Sequence, residues 1–305
     1  TWFLLLCVLT FMDSYTNLMA EVKITMIHIV SDTSTMYTPE QGKQLGTTIV
    51  PLHVTINDRS YRDLEDINDV MLLDMIADKH VPKTSQPALG EKIDAYDELS
   101  STGEVLDIAM SSGLSGTYQS ALLAKDQCSR PEKVHVFDSR TLCGPHRIMF
   151  DVALRMAKEG KTVQDILAVL EKARETEVSY LVPFDFGFLV RGGRLNSMAG
   201  ALGGLLKLIP VMKRGEKGQG LDKFAICRTL KKVVSSIVED LQKEGVDHTF
   251  RFYVSHAHNE KLALQIKEKI QEVFGNVEVQ LFPLTPAFIS QGGPECVAVQ
   301  AIAID

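Results

Sequence analysis

Apolar residues follow two rhythms along this chain, and their alternation predicts its first half. The runs "KITMIHIVSD" (Lys23 to Asp32), "TTIVPLHVTI" (Thr47 to Ile56), "EVLDIAMSS" (Glu104 to Ser112) and "KVHVFDS" (Lys133 to Ser139) are short, apolar and closed by polar residues, which predicts buried strands. Asp69 to Lys79, Gly116 to Gln127 and Arg147 to Gly160 instead space their apolar residues three and four apart, which predicts helices, the last stopping at a glycine. Strands alternating with helices in this way form a parallel sheet.

After one more helix, Thr162 to Glu175, the texture changes. Six strand-like runs follow: Val178 to Pro183, Leu205 to Lys213, Asp222 to Arg228, His248 to Ala257, Asn276 to Leu284 and Glu295 to Ile304. Helical spacing is confined to Leu230 to Glu244 and Glu260 to Phe274. Strand follows strand around "RGEKGQG" (Arg214 to Gly220), whose three glycines read as a hairpin turn, so this half is expected to hold a mixed sheet. The fold class is therefore α/β in two domains, 22–175 with a parallel sheet and 176–305 with a mixed one. The opening "TWFLLLCVLTFM" has the length of a secretory apolar core but lacks a basic flank and a cleavage box, and is too short to span a bilayer. Residues 1–21 are read as an atypical extension, from upstream sequence or a mis-set start, outside the fold.

Composition narrows the function. With 305 residues, 45% hydrophobic and 23% charged, the chain has apolar material for a sizeable core without staples. A formal charge of -7 and the absence of a basic tract exclude nucleic acid as the expected partner. The five cysteines (Cys7, Cys128, Cys143, Cys227, Cys296) are scattered, with no Cys-x-x-Cys pair and no zinc spacing, which suits reduced thiols in a cytoplasmic protein. No phosphate-binding Gly-x-x-x-x-Gly-Lys loop and no magnesium-like acidic cluster occurs, so ATP is not expected to bind here.

The candidate chemistry lies in loops that follow strands, where ligands of open α/β sheets settle. "SDTST" (Ser31 to Thr35) follows the first strand, "KTSQP" (Lys83 to Pro87) lies between two helices, and "SSGLSGT" (Ser111 to Thr117) follows the third strand. Hydroxyls beside a helix N-terminus make a site for a small anion. The same residues serve equally as helix caps and Asx turns, and both readings stay open on the residues alone. A serine hydrolase acting through Ser112 or Ser115 fits poorly, because "SGLSGT" does not set its glycines as a Gly-x-Ser-x-Gly elbow requires.

These segments, with Gly90, "RGGRL" (Arg191 to Leu195), "KLIPV" and "GGP" (Gly292 to Pro294), resemble in this order the DegV family from about Lys23 to the C-terminus. The resemblance implies a DegV-like two-domain α/β fold and a non-enzymatic, cytoplasmic protein that binds a long-chain fatty acid. It also implies FakB-like service as the acyl-carrying subunit of a bacterial fatty acid kinase, in which a separate kinase makes an acyl phosphate. No cofactor or metal is implied beyond the bound acid, and no membrane span.

By position, Thr84 and Ser112 match the hydroxyls expected to hold the carboxylate. Ser85, Ser111, Gly113, Ser115 and Gly116 would shape the loops, and Asp32 with Ser34 would organise the site. Arg194 would face the head group or the kinase, with Arg191 a weaker match. One position departs from the kinase-coupled pattern: Gln291 stands where those members carry histidine, and Glu295 replaces the following glycine. Glutamine hydrogen-bonds but carries no proton, which bears on phosphotransfer more than on lipid binding. His256 and His258 are the nearby substitutes. The apolar tunnel wall is expected from "FDFGFLV" (Phe184 to Val190) and "MAGALGGLLKLIPVM" (Met198 to Met212). The alternative is a ligand-responsive regulator that binds another small anion.

Overall fold

The computed structural model describes residues 26–196 and 208–304. The expectations for residues 1–21 and 198–207, and for Cys7, lie outside these residues. Strand β1 (Ile27–Asp32) leads through a tight 3-10 turn to helix α1 (Pro39–Leu45) and strand β2 (Thr48–Val50). Then come β3 (His53–Ile56), β4 (Arg59–Arg62), α2 (Asp69–Ala77), β5 (Lys83–Ser85) and α3 (Leu89–Ser100). The helix-rich middle runs β6 (Glu104–Ala109), α4 (Thr117–Gln127), β7 (Val134–Asp138), α5 (Cys143–Lys158) and α6 (Val163–Thr176). The remainder is β8 (Val178–Val182), α7 (Phe186–Gly192), β9 (Ile209–Arg214), β10 (Leu221–Cys227), α8 (Leu230–Lys243), β11 (Arg251–His256), α9 (Glu260–Phe274), β12 (Val279–Pro283), α10 (Pro286–Gly292) and β13 (Val297–Ile302).

The architecture is the α/β fold expected, with a parallel sheet ordered β2-β1-β6-β7 and a mixed sheet ordered β10-β9-β8-β13-β11-β12. A third, three-stranded sheet, β4-β3-β5, was not foreseen. It exists because the run Thr47 to Ile56 is two strands. Pro51 has no N–H to continue the ladder, and beyond it Leu52 leaves the parallel sheet, its N–H donating to Thr33 Oγ1 at 3.1 Å. "KTSQP" does lie between two helices, but its Lys83–Ser85 form a strand, pairing Thr84 with Val54.

Helices α5 and α6 pack between the two larger sheets: Phe150, Ala153, Ile166 and Leu170 share one buried cluster with Leu106 of β6, Tyr253 of β11 and Ile302 of β13. Gly144 is required there, since a β-carbon would strike the Tyr253 ring. The hairpin turn between β9 and β10 forms at the predicted glycines, with Gly218 and Gly220 at φ of 77° and 61°. It presses on the loop after β6 closely enough that a β-carbon on Gly113 would meet the Gly218 carbonyl.

Under the parallel sheet, Lys92 of α3 pairs with Asp107 of β6, and the Tyr96 hydroxyl donates to the same carboxylate oxygen; all three residues are fully buried. Desolvating both charges leaves such a pair with little net gain, but breaking it strands a buried charge at about 3–5 kcal/mol. Lys92→Met is therefore expected to lower urea-unfolding stability by about that amount, whereas Lys92→Met with Asp107→Leu recovers most of it. Equal loss in single and double variants would show that packing, not charge, dominates.

Candidate functional site

A cavity of about 210 Å³ lies where the ends of β6 and β7 meet the face of β8 and β13. Leu181, Leu142, Leu284 and Phe288 supply much of its apolar wall. Polar groups collect at one end. Thr84 on β5 and Gln291 near the end of α10 meet there, Gln291 Nε2 donating to Thr84 Oγ1 at 2.8 Å. Gln291 Oε1 is buried without a hydrogen-bond partner among the described residues. Whichever way the amide is turned, an N–H of Gln291 or the O–H of Thr84 is left to donate to a ligand.

The opposite side of this polar end is the N-terminus of α4. Ser115 and Gly116 line the cavity, and Ser115 Oγ accepts from the Thr117 N–H at 3.2 Å. Gly116 is the N-cap and brings no capping side chain, so the partial positive charge of an eleven-residue helix faces the opening. Arg194 adds a full charge, held by donating from Nε to the Leu114 carbonyl at 3.1 Å and from its guanidinium to the Gly192 carbonyl. Gly192 lets Gln291 lie close, since a β-carbon there would displace the Gln291 amide. The arrangement suits one carboxylate: hydroxyl and amide donors, a helix N-terminus and one fixed cation converge at the end of an apolar hole.

The residues singled out in the sequence fall into three groups. Thr84, Ser85, Ser115, Gly116, Arg194 and Gln291 line the cavity together. Ser112 does not; its hydroxyl donates to Asp138 Oδ2 at 2.6 Å and its N–H to Oδ1 at 3.1 Å, so it braces the loop against β7. Asp32, Ser34, Ser111 and Gly113 stand behind the lining. Asp32 accepts from the N–H groups of Ser34 at 2.9 Å and Met110 at 3.3 Å, pinning the turn after β1 to the end of β6. Ser34 Oγ contacts His146 Nδ1 at 2.6 Å; Nε2 of that ring meets the Ile108 carbonyl at 2.9 Å, so the proton sits on Nε2 and burial keeps the ring neutral. Ser111 Oγ donates to the Gly218 carbonyl at 3.0 Å.

His256 and His258 are not at the cavity: His256 ends β11 and His258 Nε2 pairs with Asp69 at 2.8 Å. Arg191 is exposed and stacks over Phe188. Of the expected wall segments only Leu189 contributes among the described residues; Phe184 is 39% exposed and does not line the cavity. Sequence reasoning missed a second polar group on the lining, Thr141, Ser179, Arg214 and Gln300, because no motif links residues so far apart. Cys143 and Cys296 also line the cavity as free thiols, and burial pushes Cys296 up to about 12, so neither supplies a thiolate near neutral pH. Among the described residues no group of His, Cys, Asp and Glu side chains can hold a metal ion, and no helix is long and apolar enough to cross a membrane.

Comparison with known proteins gives one family. A family model described as "Uncharacterised protein, DegV family" matches residues 26–303. A DegV domain-containing protein of Halalkalibacterium halodurans is 30% identical over 267 residues, covering 86% of this chain and 93% of that relative. Among solved structures, a fatty-acid-binding DegV family protein from Thermus thermophilus superposes with a TM-score of 0.83 at 26% identity, covering 92% of this chain and all of the other. DegV from Bacillus subtilis, described as a fatty acid binding protein, gives a TM-score of 0.79 at 28% identity over 92% of this chain and 99% of the other.

One buried carboxyl behind the site titrates near neutrality. Asp63 accepts from Thr33 Oγ1 at 2.8 Å and from the Ala287 N–H at 3.0 Å, joining the turn after β1 to the first turn of α10. Burial pushes it up to about 7, nearby Asp32 adds to this, and the hydrogen bonds from Thr33 and Ala287 oppose it. The folded protein thus binds this proton more tightly than the unfolded chain does. The resulting stability is full below the ordinary value of 3.8 and is lost as pH rises through about 7. Relative to Asp63→Asn, the wild type is expected to lose a few kcal/mol between about pH 4 and pH 7 in thermal or urea unfolding. A difference that stays flat over this range would show that Asp63 is already ionised when folded.

Proposed function

We propose, from the fact that this chain belongs to the DegV family, that it binds a long-chain fatty acid with the carboxylate at the Thr84–Gln291 end and the hydrocarbon in the apolar cavity. The observation that carries this reading is the convergence of the Gln291–Thr84 pair, which keeps a spare donor, and an arginine at one end of an otherwise apolar hole. Thr84, Gln291, Ser115 and Arg194 are the proposed head-group residues, and Ser112 acts through its brace to Asp138. The two solved relatives are described as fatty-acid-binding proteins, which supports the same ligand class here.

The energetics divide the work. Burying a methylene is worth about 0.8 kcal/mol, so roughly 14 of them contribute on the order of 11 kcal/mol before ordering costs. A charge-assisted hydrogen bond adds about 1.5–3 kcal/mol. The tail sets affinity and the polar end sets direction. The protein acts in this proposal as a carrier, with the head group offered to a separate kinase beside Arg194. Gln291 provides no titratable ring for that step, so any proton handling falls to the partner.

Mass spectrometry of protein purified from bacteria is expected to find a co-purifying long-chain acid. Thr84→Val with Gln291→Leu is expected to weaken palmitate binding about 10- to 100-fold with little change in melting temperature. A cavity that is empty and also rejects added palmitate would sink the proposal. Equal binding of acetate and palmitate would favour a small-anion regulator instead.

A further inference from the structure

The deep wall of the cavity carries a feature that a plain hydrocarbon leaves unused. Strands β8 and β13 face it in register, Leu181 opposite Ala298 and Ser179 opposite Gln300. Residues two apart on a strand share a face, so Cys296, Ala298 and Gln300 descend the wall over about 13 Å. Cys296 is the head end of this ladder, because its Sγ packs against Gly292, the neighbour of Gln291. Gln300 lies at the far end and is 1% exposed.

Its amide orientation is fixed. Nε2 donates to the Leu142 carbonyl at 3.0 Å and to Ser179 Oγ at 2.9 Å, and a carbonyl can only accept. Oε1 is then a buried acceptor with no partner among the described residues. The hydroxyl donors around it are committed, and the Arg214 charge is turned to Glu177. Thr141 Oγ1 donates to Glu177 Oε1 at 3.1 Å, Ser179 Oγ donates to the same oxygen, and Arg214 pairs with the Glu177 carboxylate while donating to the Arg140 and Glu177 carbonyls. A second carboxylate does not suit this place, since it would set acceptors against an acceptor beside Glu177. A hydroxyl does.

We propose that this rung is a second binding station, and that the cavity takes a long-chain acid bearing a hydroxyl far from its carboxylate, with that O–H donating to Gln300 Oε1. The inference rests on the fatty-acid reading above and names a substrate class within it.

Calorimetric titration of the full chain, stripped of bound lipid, tests it with palmitic acid, its ω-hydroxy derivative, a mid-chain hydroxy acid, a 2-hydroxy acid and the corresponding dicarboxylic acid. A distal hydroxyl is expected to tighten binding about fivefold over the parent acid; the 2-hydroxy acid gains nothing and the diacid binds more weakly. In Gln300→Met the ratio between distal hydroxy acid and parent acid falls to about one. The wild-type series stands alone if that variant does not fold. Palmitate binding without a gain for either distal hydroxy acid overturns the inference, leaving water as the partner of Gln300, and keeps the carrier reading; failure of every acid to bind overturns both.

Discussion

The hydrogen bond from Gln291 to Thr84 joins residues 207 positions apart, and the shape of the cavity depends on it. It closes the small sheet, through β5, onto α10, the helix that hands the chain to β13. Both partners sit on short elements with little stability of their own, so each is held by its surroundings. Thr84 is held by the β3 ladder, and Gln291 by the close fit of Gly192 against it. Asp63 fixes the other end of α10 through the Ala287 N–H. The polar end of the cavity is thus assembled largely by contacts between distant segments.

That dependence explains what the sequence made legible. Periodicity located β1, β6, β7, α5, α6, α8 and α9, because each buries a face against a core layer and the burial writes itself into the spacing of apolar residues. It merged β2 with β3, since two short apolar strands separated by Pro51 and Leu52 have the same hydrophobic profile as one. It missed β5, α7 and α10, which are three to seven residues long and draw their order from tertiary partners. "FDFGFLV" alternates its phenylalanines like a strand, yet from Phe186 it is helical, capped by Asp185 at the Gly187 N–H.

The site was legible in part and for the same reason. Segment order marked Thr84, Arg194 and Gln291, and set Ser112 as the carboxylate hydroxyl with Ser115, three residues on in the same hydroxyl-rich loop, as a loop former. Asp138 occupies the Ser112 hydroxyl from the end of β7, while Ser115 and Gly116 line the cavity. A carboxylate from another strand holds Ser112, and nothing in the local spacing carries that information.

The two polar stations differ in what they leave open, and this gives the cavity a direction. At the Thr84–Gln291 end a donor is spare and Arg194 is charged, so an anion is favoured there. At the Gln300 end the hydroxyl donors and the Arg214 charge are taken up by Glu177, whose carboxyl burial pushes up and Arg214 pulls back, and the Gln300 acceptor is spare. In the proposed complex an acid entering tail first meets an apolar wall along β8 and β13 until that acceptor, while one entering head first would bring its carboxylate beside Glu177 and the Gln300 acceptor. In the proposed complex orientation therefore follows from the unequal hydrogen-bond inventory of the two ends, with the hydrocarbon between them supplying most of the binding free energy.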